Sequence, residues 1–196
     1  MKTFLATMEI LGEKLGPLLF QFGYFNKSVF ADLDDLLVRL LPFPKTLPKG
    51  NKFAIEIRNK NWLVPKFAEV LREHKVALAL IDQSWMPRCV DWFSRFGPNT
   101  TEFTHASWPG DRKGIEEKTK TWDEVIVDRR GDLLEWIELL KQSPQTAHHD
   151  LGLCQQSLRG SCTGYGQTLF AAMGHSRLTP GNFGAALLVM HNTVGS

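Results

Sequence analysis

The sequence predicts an α/β fold in which parallel strands are covered by helices, and two observations lead to this class. Short apolar runs typical of buried strands alternate with segments whose apolar residues recur at helical spacing. The first three strand-like runs are separated by helix-like segments, and this alternation is typical of parallel sheets with right-handed crossovers.

The predicted elements begin with a short apolar strand at 16–22, GPLLFQF. Apolar residues at helical spacing predict a helix over 30–43, which ends at a proline stop. The run KFAIEIR at 52–58 is the second strand. A second helix follows over 64–74, and it carries Pro65 in its first turn, where a missing amide hydrogen costs little.

The later elements follow the same alternation. The run VALALID at 76–82 is apolar at nearly every position, as in parallel strands that are covered on both faces. A fourth strand is predicted at 101–107, TEFTHAS. The longest amphipathic helix is predicted over 121–142, despite Gly131 within it.

Composition excludes several classes of function. The chain has 196 residues, of which 43% are hydrophobic, and this is ordinary for one globular domain with a sizeable core. A net charge of +2 gives no broad attraction to phosphate backbones or anionic lipids. No apolar run approaches membrane-spanning length. We therefore expect a cytoplasmic protein that binds neither nucleic acid nor membrane.

Candidate site residues lie at the carboxyl ends of the predicted strands. Because side chains alternate along a strand, Ala54, Glu56 and Arg58 share the face opposite Phe53, Ile55 and Ile57. In a parallel barrel this face lines the lumen, and active sites are assembled at the carboxyl ends of its strands. Asp82 and Gln21 occupy similar positions on the neighbouring strands.

These residue types suit acid/base chemistry on a small molecule. We predict that Glu56 and Asp82 are catalytic carboxylates and that Arg58 and Gln21 bind the substrate. Two structural alternatives stay open. Glu56 and Arg58 would then form an ion-pair network in the lumen, and Asp82 would cap a helix.

Five ordered blocks together resemble the YecE-like proteins, also called domain of unknown function 72. The blocks are LGEKLGPLLFQF, YFNKSVF, FAIEIRNKNWL, VALALIDQSWMPR and GDRKGIEEKTKTWDEVIVDRR. The resemblance implies a TIM-like (β/α) barrel without an established reaction. It adds Trp62 and Asp111 to the predicted substrate-binding residues, because Trp62 matches the family's E-x-R…W pattern and Asp111 lies in the last block.

The resemblance also has departures. The chain starts just upstream of the first block, where family members usually have a glycine-rich strand and further β/α units, so we expect a partial barrel. A complete barrel needs about 250 residues. The strand at 101–107 carries His105 to Ser107 where the family usually has an aromatic residue and an arginine.

The composition changes sharply after residue 142. Only Asp150, Arg159 and Arg177 are charged in the last 54 residues, whereas the other 41 charged residues lie in the first 142. We therefore predict a partial β/α-barrel domain over 1–142 and a low-charge, irregular tail over 143–196.

The tail has the features of an out-of-frame translation. Family members follow the long helix with a region similar to Y-A-N-N-H-Y-E-G, which the printed tail lacks. With one choice of synonymous codons for Leu153 to Leu169, reading from the second base yields YANNHYEGAAPATVKLF. The sequence thus predicts a frameshift between about Gln142 and His148.

Sequencing the coding DNA tests the frameshift. We expect the shifted frame to contain the NNHY-like motif and to reach a stop at the codon of Leu178. DNA that lacks both would contradict the frameshift and return the tail to the status of a real domain.

The tail residues do not predict a metal site. Seven residues separate Cys154 from Cys162, whereas the ligands of zinc sites usually come in closely spaced pairs. No sequence signal indicates a cofactor or an oligomeric state. Three hypotheses of function remain. The first is an enzyme that acts on a small polar or anionic substrate, of which this chain is an incomplete and inactive fragment. The others are a ligand-binding barrel without chemistry and a non-functional product of a damaged reading frame.

Overall fold

A computed structural model describes residues 2–107, 114, 116–120, 128–142, 151–154 and 187–189. Most of the predicted tail, 143–196, lies outside these residues. The helices are α1 Lys2–Glu9, α2 Leu33–Leu40, α3 Pro42–Lys45, α4 Pro65–Glu73, α5 Cys89–Phe96 and α6 Arg130–Gln142. The strands are β1 Leu18–Gln21, β2 Phe53–Glu56, β3 Ala77–Leu78, β4 Leu80–Ile81, β5 Thr104–Ser107, β6 Leu151–Cys154 and β7 Leu187–Val189. Short 3-10 helices occur at Gly12–Lys14 and Lys60–Trp62.

The described strands form two open parallel sheets, and this confirms the predicted α/β class. One sheet has the order β3-β2-β1-β7 and the other has the order β4-β5-β6. The predicted strand 76–82 takes part in both, because β3 and β4 are separated by Ala79 alone. The amide of Ala79 donates to the carbonyl oxygen of Ile55 at 2.9 Å, so β2 stays hydrogen-bonded to this strand across the gap.

Local sequence explains where the helices begin and end. Asp32 precedes α2 in an extended conformation, and its side chain accepts a hydrogen bond from the amide of Asp35, as expected of an N-cap. Pro65 starts α4, as predicted. Gly97 ends α5 with a φ of 58°, a left-handed conformation that glycine adopts without steric cost.

One helix prediction was wrong in extent, and one helix was not predicted. The helix predicted over 121–142 begins at Arg130, with 128 and 129 outside any helix and 121–127 outside the described residues. Gly131 therefore lies in the first turn instead of the interior. Helix α5 was not predicted, although its buried residues Cys89 and Trp92 are three positions apart, as on one face of a helix.

The main core lies between the helices and one face of the strands. It contains Phe53, Ile55 and Ile57 together with Phe67 and Leu71 of α4. A smaller apolar cluster on the opposite face consists of Leu19, Ala54, Ala77, Ala79 and Phe103. The predicted alternation along β2 is therefore confirmed, because Ala54 belongs to one cluster and its neighbours belong to the other.

None of the helices in the described part of the chain is long and apolar enough to cross a membrane.

Candidate functional site

The site is built around Glu56, the last residue of β2. Gln21, the last residue of β1, is its direct partner in the register of the two strands. The side-chain amide of Gln21 donates from Nε2 to Glu56 Oε1 at 2.8 Å. Nη2 of Arg58 lies 2.6 Å from the same oxygen. The structure thus brings together three of the predicted site residues, Gln21, Glu56 and Arg58.

The two carboxylate oxygens of Glu56 have different environments. The residue is only 1% exposed, and Oε1 receives both hydrogen-bonding partners. Oε2 is buried and has no hydrogen-bond partner within the described part of the chain. Burial raises the pKa of Glu56, and this effect exceeds the opposing charge of Arg58 and the hydrogen bonds from Gln21 and Arg58. Burial consequently shifts the protonation equilibrium of Glu56 toward the neutral carboxyl group, compared with a glutamate in water.

Arg58 is held on three sides. Its Nη1 donates to Oε1 of Gln83, and its guanidinium carbon lies 5.9 Å from the ring centroid of Trp85. Together with the ion pair to Glu56, these contacts fix the guanidinium near the carboxyl end of β2. Gln83 and Trp85 were not among the predicted site residues, although both follow the third predicted strand in the run DQSW.

Asp82 belongs to a neighbouring network. Its amide donates to the carbonyl oxygen of Ser107 at 2.9 Å. Its Oδ2 accepts from Nη2 of Arg129 at 2.8 Å and from Nε1 of Trp136 at 3.2 Å. Asp82 thus links the end of β4 to Trp136 of α6 and to Arg129, the residue directly before α6. Trp136 is buried in the main core, and its hydrogen bond to Asp82 was not predicted.

The other two predicted binding residues lie elsewhere. Trp62 is 7% exposed and packs in the main core, with ring centroids 6.1 Å from Phe25 and 6.3 Å from Phe30. Asn59 supports this aromatic group, because its side chain bonds both the amide and the carbonyl oxygen of Phe25. Asp111 lies outside the described residues.

His105 is a buried polar residue that was not among the predicted site residues. It is fully buried in β5, and burial lowers its imidazole pKa to about 4. Neither ring nitrogen has a hydrogen-bond partner among the residues that the structure describes. The next residue of β5, Ala106, belongs to the main core, so strand alternation places His105 on the opposite face. The alternation of side chains along the predicted strand 101–107 was the sequence signal that could have placed His105 on this face.

The described residues contain no group of three or more His, Cys, Asp or Glu side chains that could hold a metal ion.

Cys89 is buried in the main core, and burial together with the nearby charges of Asp82, Asp91 and Glu135 raises its thiol pKa. Cys89 therefore serves core packing, since a buried thiol with a raised pKa is unreactive.

Comparison with known proteins extends the sequence resemblance. The family model described as "Protein of unknown function DUF72" matches residues 1–156. No curated protein matches the chain. The crystal structure of a DUF72 family protein from Thermotoga maritima is similar, with a TM-score of 0.56 and 17% sequence identity. The alignment covers 89% of this chain and 64% of that protein, so the chain spans less than two thirds of its relative. The resemblance noted in the sequence is confirmed, and the chain belongs to the DUF72 family.

Proposed function

We propose that the intact protein is an enzyme that acts on a small polar substrate by acid/base chemistry, with Glu56 as the group that exchanges the proton. The observation that carries this proposal is the asymmetry of its carboxylate. Oε1 is anchored by Gln21 and Arg58, whereas Oε2 is buried and unpartnered in the described structure. A carboxyl group that is anchored through one oxygen and makes no hydrogen bond through the other can exchange a proton at that second oxygen.

The electrostatics of Glu56 support the same role. A general acid or base works best when its pKa lies near the working pH, and enzymes raise glutamate pKa values by burial. Burial raises the pKa of Glu56 in this way. Arg58 limits the rise, because its positive charge stabilises the ionised carboxylate.

The neighbouring residues have supporting roles in this proposal. Gln21 and Arg58 orient the carboxyl group and present hydrogen-bond donors to the substrate. Asp82 positions Arg129 and α6 at the same edge of the strands, through the hydrogen bonds described above. Trp62 stabilises the adjacent loop from within the aromatic group that contains Phe25 and Phe30.

The fold proposed for the intact protein is a TIM-like barrel, of which this chain forms a part. Support comes from the parallel pairing of every described strand and from the order β7, β1, β2, β3/β4, β5, β6, in which all strands except β7 follow the order of the sequence. Glu56, Asp82 and Ser107 lie at or directly after the carboxyl ends of successive strands, where barrel enzymes place their sites. The similarity to the Thermotoga protein supports the fold but no activity.

Replacement of Glu56 by Gln tests the proposed role. Glu56→Gln preserves shape and removes the exchangeable proton, so turnover should fall by a factor of about 100 or more. Small polar molecules that raise the unfolding temperature of the 196-residue chain would serve as candidate substrates, with their conversion followed by NMR.

Asp34→Asn is the matched control, because Asp34 is an exposed carboxylate that pairs with Lys66 on the surface. The control should keep both turnover and ligand-induced stabilisation. Measurable turnover that is equal in the Glu56→Gln variant and the unchanged protein would contradict the proposal and leave Glu56 with a structural role.

A further inference from the structure

The loop that follows β4 presents two side chains to Arg58. The amide of Met86 donates to the carbonyl oxygen of Gln83 at 2.9 Å, and this hydrogen bond closes a turn. Ser84 and Trp85 occupy the centre of the turn, and the side chain of Met86 is buried in the main core. From this turn, Gln83 Oε1 accepts a hydrogen bond from Nη1 of Arg58, and the ring centroid of Trp85 lies 5.9 Å from the guanidinium carbon.

These two contacts supplement the ion pair between Arg58 and Glu56. Nη2 lies 2.6 Å from Glu56 Oε1, so the two terminal nitrogens of the guanidinium have different partners. Nε has no hydrogen-bond partner among the residues that the structure describes. Because a long arginine side chain has many rotamers, one ion pair alone leaves the guanidinium considerable freedom. Gln83 and Trp85 restrict that freedom from a separate segment of the chain.

Gln83 holds the guanidinium without neutralising its charge. The side-chain amide oxygen is an uncharged acceptor, so the positive charge of Arg58 remains available to Glu56. A carboxylate at this position would instead compete with Glu56 for the same guanidinium. The ring of Trp85, which is 56% exposed, likewise attracts the cation without carrying a charge. Both residue types therefore suit a positioning role.

The position of Arg58 affects Glu56 because its guanidinium is the charged group that acts on this carboxyl within the described part of the chain. On one side, β1 contributes the uncharged amide of Gln21, and on the other side β3 consists of Ala77 and Leu78. The charge of Arg58 lowers the pKa of Glu56 and so opposes the larger rise due to burial. Since this interaction weakens with distance, a displaced guanidinium would let the pKa rise further.

We infer that Gln83 and Trp85 are positioning residues that hold the Arg58 guanidinium against Glu56 Oε1 and thereby control the protonation of the carboxyl group. The inference rests on the proposed role of Glu56 and extends the functional site to the loop after β4. Both residues act through Arg58.

NMR of the 196-residue chain tests this inference with the variants Gln83→Ala, Trp85→Ala and Trp85→Phe. Relaxation of ¹⁵N in the Arg58 Nε–H group measures how firmly the guanidinium is held, and Arg58→Lys assigns the resonance. Titration of the ¹³Cδ resonance measures the pKa of Glu56. In both alanine variants we expect the order parameter of the Nε–H group to fall toward the values below about 0.6 that mark flexible groups, and the pKa of Glu56 to rise.

Two further variants separate positioning from general effects on the loop. Trp85→Phe keeps an aromatic face for the guanidinium, so both measurements should stay close to those of the unchanged protein. Ser84→Ala is the matched control, because Ser84 is an exposed residue of the same turn. This control should change neither the order of Arg58 nor the pKa of Glu56. Amide spectra verify the folding of each variant, and the two alanine substitutions provide independent tests if one variant does not fold.

The outcomes separate this inference from the proposed function. If Glu56→Gln abolishes turnover while Gln83→Ala and Trp85→Ala keep the order of Arg58 and the pKa of Glu56, the inference is wrong and the role of Glu56 stands. If both alanine variants raise the pKa while Glu56→Gln keeps full turnover, the positioning stands and the proposed function is wrong. A lower pKa in the alanine variants would also overturn the inference, because the loop would then hold Arg58 away from Glu56.

Discussion

Lowering the pH from 6.5 to about 4 should reduce the free energy of unfolding by about 3 kcal/mol through His105 alone. Burial lowers the imidazole pKa in the folded protein from 6.5 to about 4. In this pH range the unfolded chain takes up a proton that the folded chain excludes. The stabilisation is therefore complete above pH 6.5 and is lost as the pH falls through the folded pKa.

Urea unfolding of the unchanged protein and of His105→Leu, at several pH values, measures this effect. The difference in unfolding free energy between the two proteins isolates His105 from the carboxylates, which titrate in the same range. Glu56 contributes in the opposite direction, since its raised pKa stabilises the fold at low pH and the stabilisation is lost as the pH rises through the folded pKa. A difference that does not change with pH would show that His105 is solvated or hydrogen-bonded.

Phe67→Ala should lower the free energy of unfolding by about 3–5 kcal/mol. Phe67 is fully buried on α4, within the main core that covers the β2 residues Phe53 and Ile55. Its truncation removes a large apolar surface and leaves a cavity between helix and sheet, so α4 is held less firmly. Chemical denaturation followed by far-UV circular dichroism measures the change.

Val38→Ala is the matched control for Phe67→Ala. Val38 lies on α2 and is 72% exposed, so its truncation should change the unfolding free energy by no more than about 0.5 kcal/mol. A loss below about 1 kcal/mol for Phe67→Ala would contradict the position of α4 against the strands.

Strand periodicity was enough to predict the main features of the site. Alternation in KFAIEIR predicted that Glu56 lies on the other face of the strand from Ile55. Because the carboxyl ends of parallel strands lie at the same edge of a sheet, Gln21 was predicted to lie near Glu56. These predictions succeed because the direction of a side chain in a strand follows from its position alone. The helix over 64–74 was also predictable, since Pro65 marks its first turn.

Contacts between distant segments were not predictable in the same way. The hydrogen bond from Trp136 to Asp82 joins residues 54 positions apart, and local sequence carries no signal for such a pair. Gln83 contacts Arg58 from the loop after β4, 25 positions along the chain. Helix α5 lies in a stretch bounded by Pro87 and by Gly97 and Pro98, and its helical pattern was missed.

His105 illustrates a different limit. The strand 101–107 was predicted, but its register with β4 was not. The sequence also gives no measure of burial for a lone histidine. Its burial became visible only in the structure.

Titration of the Glu56 carboxyl group by ¹³C NMR is the most direct test of the central claim that a buried, proton-exchanging carboxylate lies at the carboxyl end of β2. Spectra of the chain labelled with ¹³Cδ glutamate, compared with those of Glu56→Gln, assign the resonance. The account predicts that the pKa of this group lies above that of an ordinary glutamate, because burial outweighs the charge of Arg58. A pKa at or below the ordinary value would show that Glu56 is a simple ion-pair partner of Arg58.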